Sequence, residues 1–105
     1  MAWHDTIKAA HLAVTSAVSH ARRLQSERYF VWQEDGGNDL SANDAHVERA
    51  VQGTTDLFTT REHDPWAEEL GEALSSHGIA WYLSGVQYEE DTGFFHYEWV
   101  WEVTD

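Results

Sequence analysis

At 105 residues, with a formal charge of −13 and no cysteine, the chain has room for one core and excludes disulfides, a thiolate nucleophile and a cysteine zinc site. Apolar residues make up 42% and aromatics 13%, six of them Trp, a load that disordered chains lack, so a folded single domain over 1–105 is expected. No apolar run approaches the roughly 18 residues of a membrane span, and the N-terminus lacks the basic-then-apolar layout of a secretory signal, so no membrane partner and a cytoplasmic setting are expected.

The charge is unevenly spread. All six basic residues, Lys8, Arg22, Arg23, Arg28, Arg49 and Arg61, fall in the first 61 positions, while Glu62 to Asp105 carries 11 acids and no Lys or Arg. The C-terminal half repels phosphates, so direct tight binding of nucleic acid is not expected. A surface past which DNA slides, or one that meets a basic partner, fits the charge better.

In chain order, Ile7, Ala10, Val14, Val18, Ala21 and Leu24 recur at helical steps, which predicts a helix over 6–28 with Asp5 or Thr6 as its cap. Tyr29-Phe30-Val31-Trp32-Gln33 predicts a first strand, and residues 34–44 a long polar loop. A second strand is expected over 46–60, with Gly53 marking a bulge. Asp64-Pro65 predicts a capped second helix that ends at Gly78.

Residues 79–103 predict a hairpin turning at Glu90-Asp91-Thr92-Gly93. Pairing Glu89 with Phe94 and holding that register puts Tyr88/Phe95, Val86/Tyr97, Ser84/Trp99, Tyr82/Trp101 and Ala80/Val103 on one face. Tyr82, Val86, Tyr97, Trp99 and Trp101 are then expected in the core. Trp81, Leu83 and Val100 fall on the opposite face and form a candidate interface. The expected fold is α+β, a two-layer sandwich of order α-β-β-α-β-β, with two helices on one face of a mainly antiparallel four-stranded sheet.

Chemical motifs are few. Asp91-Thr92-Gly93 matches the aspartic-protease triplet, but that chemistry needs two carboxyls sharing a proton in an apolar setting, and a hairpin tip beside Glu89 and Glu90 offers none. The seven His show no HExxH spacing; His96 with Glu98 and Gln87 could move protons, though a solvated sheet face is the commoner use. Asp35, Asn38, Asp39, Asn43 and Asp44 are calcium-type ligands without EF-hand spacing. No catalytic residue, metal site or cofactor is therefore expected.

Three segments carry a likeness to a known family: Tyr29 to Glu34, Gly53 to Thr59, and Val86 to Asp91 with His96 to Val103. Together with the order of elements, they resemble the tail terminator and tail completion proteins of long-tailed bacteriophages. The resemblance implies a non-enzymatic virion or prophage protein that forms a ring, typically a hexamer, at the head–tail junction. Its partners would be tail or head-connector proteins, and its setting the host cytoplasm or the virion. Arg22, Arg23, Arg28, Arg49 and Arg61 would then meet the acidic half of a neighbouring subunit. The alternative is a small acidic protein that blocks a basic partner, as a DNA mimic or nuclease inhibitor does.

Overall fold

A computed structural model describes residues 2–37 and 50–104. The elements are α1 (Ala2–Leu12), β1 (Val18–His20), β2 (Arg28–Gly37), β3 (Ala50–Thr59), α2 (Pro65–Ser76), β4 (Ala80–Glu89) and β5 (Phe94–Thr104). The strands form a five-stranded sheet of order β1-β2-β3-β5-β4, in which β1 runs parallel to β2 and the remaining pairs are antiparallel. The fold is α+β, but the expected four-stranded sheet of order α-β-β-α-β-β is overturned by an additional strand and a mixed sheet.

The error lies in the first helix. Its apolar spacing continues through Val14 and Val18, because both pack against the core from non-helical backbone. The helix ends when the Val14 amide reaches back only three residues, to the His11 carbonyl at 3.0 Å. Thr15 Oγ1 then accepts from the Ala17 amide at 3.1 Å, a hydroxyl turn that competes with helix. Val18 emerges extended and pairs with Phe30. Ala21, with φ of 67°, then turns the chain.

Both helices pack on one face of the sheet. The core there joins Trp3, Ile7 and Ala10 of α1 and Leu70, Ala73 and Leu74 of α2 to Phe30, Trp32, Leu57, Tyr97, Trp99 and Trp101. Trp99 and Trp101 are buried, as the hairpin pattern predicts. One polar chain crosses this core. His11 Nδ1 bonds the Ile7 carbonyl at 2.7 Å, and its Nε2 faces Thr55 Oγ1 at 2.8 Å. The same Thr55 oxygen accepts from Trp101 Nε1 at 2.9 Å. Neutral His11 donates from Nδ1 and accepts the Thr55 hydroxyl, and among the described residues every buried side-chain polar atom has a partner.

Gly53 does not mark a bulge of its own strand. It makes room for the Trp101 indole and the Gln33 carbonyl, both of which a Cβ would strike. The irregularity lies opposite, in β2 between Glu34 and Gly37. A smaller cluster on the other sheet face holds Tyr29, Val31 and Phe58, with Arg23 4.0 Å from the Phe58 ring centre.

The second helix matches its sequence signals. Asp64 caps it by accepting from the Trp66 amide at 2.9 Å. At the other end the Gly78 amide bonds Ser75 and the Ile79 amide bonds Leu74, with Gly78 at φ 74°. Asp64 also accepts from Thr59 Oγ1 at 2.7 Å and from Arg28 Nε at 2.7 Å, and a second Arg28 nitrogen reaches its other oxygen. The Arg28 guanidinium lies over the Trp66 ring at 3.5 Å. Burial pushes the Asp64 carboxyl up, but the Arg28, Trp66 and Thr59 bonds together outweigh it and hold the group below the ordinary Asp range. This one carboxylate ties β2, β3 and α2 together.

Two outcomes follow. Asp64→Ala leaves Arg28 half-buried without its partner and removes the cap, and should cost about 3–5 kcal/mol in urea unfolding. Burial drives His11 down to about 4, against a smaller upward pull from its bond to Ile7. Its contribution is intact above about pH 6.5, where the unfolded chain is also neutral, and drains away as pH falls toward 4, by about 3 kcal/mol. Unfolding curves taken from pH 7 to pH 4.5 should show this slope, and His11→Gln should flatten it.

Candidate functional site: the β4 edge and its groove

Among the described residues, β4 ends the sheet and pairs only with β5. Near the turn the hairpin keeps the expected register, with Glu89 opposite Phe94, Val86 opposite Tyr97 and Gly85 opposite Glu98. The pairing then shifts by one residue between Leu83 and Gly85, so Ser84 is an unpaired bulge. Leu83 now faces Trp99 and Trp81 faces Trp101, while Tyr82 moves beside Val100.

This bulge corrects the interface assignment. Trp81 and Leu83 belong to the helix-side face, and only Val100 stays on the opposite one. Trp81 lies over α2, where a Cβ on Gly71 would come within 2.8 Å of the indole, and its Nε1 donates to Ser75 Oγ at 2.8 Å. The expected burial of Tyr82 and Val86 is also overturned: Tyr82 is 60%, Leu83 46%, Val86 50% and Tyr88 55% exposed. The helices cover β2, β3 and β5 but leave most of β4 uncovered. From Ala80 to Tyr88 the strand carries no charge and no proline, the usual guards of an open edge.

Between β4 and the start of α2 lies a cavity of about 520 Å³. Pro65, Trp81, Leu83, Tyr97 and Trp99 form its walls, with Glu68 the acidic residue of α2 that lines it. The groove is a consequence of the bulge, which turns Leu83 and Trp81 toward α2 without bringing the strand under it.

The arginines divide. Arg28 is committed to Asp64, and Arg23 lies over Phe58 with Glu89 3.9 Å away. Arg22 and Arg61 are exposed. Arg49 lies outside the described residues, as do His46 and most of the acidic stretch 35–44 considered for calcium.

On the outer face His96 joins three strands. Its Nε2 meets Asp56 Oδ1 at 2.7 Å, its Nδ1 lies 3.4 Å from Glu89, and its ring stacks on Phe58 at 4.4 Å. The Asp56 bond raises the His96 pKa against the opposing pull of burial, with Glu89 and Glu98 adding to the rise. Both ring nitrogens are turned to carboxylates, Asp56 within hydrogen-bond distance and Glu89 at ion-pair distance. Asp91-Thr92-Gly93 forms the hairpin turn: Gly93 has φ 76°, its amide bonds the Glu89 carbonyl, and Asp91 is exposed. Among the described residues no His, Asp and Glu converge to hold a metal, and no helix is long and apolar enough to cross a membrane. No protein-family model matches the chain, and no curated protein matches it.

Sequence reasoning found the apolar residues of β4 but not their faces. Glycine at 85 is the one local sign of an irregular strand, and it follows the bulged residue instead of occupying it.

The raised pKa of His96 has a testable sign. Its bond to Asp56 stabilises the fold fully below about pH 6.5 and is lost as pH rises through the elevated folded value. Stability of the parent relative to His96→Gln should therefore fall as pH climbs from 6 to 9, measured as the difference in urea midpoints.

Proposed function

We propose that this chain is an assembly subunit of the tail-terminator kind, building a homo-oligomeric ring through its β4 edge. The observation that carries the reading is the edge itself: ten residues long, uncharged from Ala80 to Tyr88, with half-exposed apolar side chains on both faces. An edge of this kind is a template for further pairing, and a chain that remained alone would be expected to guard it. The resemblance of the hairpins and the capped helix to tail terminators supports the ring, the head–tail junction and the virion setting. The net charge of −13 suits a lumen through which DNA must pass without sticking.

A second reading has an observation in its favour. Glu68, Glu69 and Glu72 are exposed along α2, next to the groove, with no Lys or Arg after Arg61. Such a face would also hold a basic protein. The two readings part in solution: the first requires self-association, whereas the second gives a monomer that captures a basic DNA-binding protein.

Sedimentation velocity over a range of protein concentrations decides between them. The parent should form a discrete species of several subunits. Leu83→Asp combined with Val86→Asp should weaken association by about 100-fold, each change removing about 1.4 kcal/mol of apolar contact. A parent that stays monomeric at every concentration contradicts the assembly reading.

A further inference from the structure

The two edges of the sheet are chemically unlike, and this says what the β4 edge should meet. The edge opposite β4 is β1, backed by α1. There Lys8 and Leu12 border a shallow hollow of about 140 Å³ with His4, Val18, Ser19 and His20. Leu12 is half-exposed, and Arg22 stands exposed just after the strand. The sheet order thus carries the charge asymmetry of the chain into space. Of the basic residues, Lys8 borders the β1 edge and Arg22 follows that strand, while Glu68, Glu69 and Glu72 of α2 lie toward the β4 edge.

We infer that the occupant of the β4 edge is the β1–α1 edge of a second copy, docked head to tail. The inference rests on the assembly reading above and names the surface that completes it. Charge favours it over pairing of β4 with another β4. An antiparallel β4–β4 pair extends the sheet with helices on one side, which sets α2 beside α2 and brings Glu68, Glu69 and Glu72 against their own copies. Docking of β1 on β4 instead sets α2 beside α1, so that Lys8 of α1 approaches those acids. Strand direction permits it, as it permits the β4–β4 pair. β1 runs with β2, and each step from β2 through β3 and β5 to β4 reverses direction. Placed beside β4 with the sheet continued, β1 of the next copy is antiparallel to it, and the helices stay on the same side. β1 is three residues long, so the backbone pairing is short, and Leu12 with the groove beside Trp81 and Leu83 supplies the apolar contact. A head-to-tail contact of this sort closes into a ring when its rotation allows.

Mixing two half-defective proteins tests this. Lys8→Glu with Arg22→Glu spoils the β1 edge only, and Leu83→Asp with Val86→Asp spoils the β4 edge only. All four positions are exposed, and circular dichroism with a thermal melt checks that each variant is folded; Leu12→Asp serves as a second β1-edge variant. Each variant alone should be monomeric in sedimentation velocity. Their equimolar mixture should give a 1:1 heterodimer and nothing larger, because one intact β4 edge meets one intact β1 edge and the other contact is doubly acidic. If the parent assembles and the β1-edge variants assemble as well as the parent, the head-to-tail contact is wrong while the assembly reading stands. A mixture of the two variants that stays monomeric also overturns it. A parent that never assembles removes both.

Discussion

A core this rich in Trp and His can close only if its ring nitrogens find partners, and one hydroxyl, Thr55 Oγ1, serves two of them. An eleven-residue helix such as α1 is marginal by itself. It is held because His11 reaches through the core to Thr55 on β3, whose oxygen also takes the Trp101 indole N–H from β5. Removing that hydroxyl would leave two buried polar groups unpaired at once, and each such group costs about 1–3 kcal/mol. The position of α1, and with it that of Lys8 at the β1 edge, depends on this bond chain. The Arg28–Asp64–Thr59 cluster does the corresponding task for α2 and the acidic edge.

The parts of the fold legible in the sequence are those fixed by local chemistry. Asp64-Pro65 and Gly78 delimit α2 because a side-chain acceptor, a missing amide and a left-handed residue act within one turn. The hairpin turn at Gly93 and the burial of Tyr97, Trp99 and Trp101 follow from a two-residue period on β5 that nothing interrupts. The first helix was misjudged because apolar spacing reports which side faces the core, not which backbone presents it. Val14 and Val18 face the core from a turn and a strand. The β4 register failed for a related reason. Ser84 is bulged by the demand that Trp81 cross α2 at Gly71, and that contact joins residues ten apart through the tertiary fold. The bulge reverses the face of every β4 residue before it, so Trp81 and Leu83 stand on the face opposite Val100.

On the outer face, polar residues tie neighbouring strands together. His96, Asp56 and Glu89 come from β5, β3 and β4, and Arg23 closes over Phe58 from the segment after β1. The hydrogen bonds run across the sheet, and the imidazole is stacked on Phe58. That arrangement holds neighbouring strands and a connection in place. It also explains why the second, smaller aromatic cluster can exist without a helix over it: Tyr29 and Phe58 are shielded by the arginine and its segment.

An open, apolar β4 edge is a hazard for any chain, and the charge of this one controls it. Unspecific edge pairing brings two copies together at −13 each, with the acidic α2 faces adjoining, so most encounters are repelled. Repulsion of that kind does not forbid association; it selects the geometry in which opposite charges meet. Only a contact that presents the N-terminal basic residues to the C-terminal acids lowers the electrostatic cost while the apolar strip of β4 is removed from water. The uneven distribution of Lys and Arg along the chain thus acts through the sheet order. By placing β1 and β4 at opposite ends, the topology gives the molecule two unlike edges and hence a direction, whereas a β4 edge that paired only with its own copy would stop at a pair.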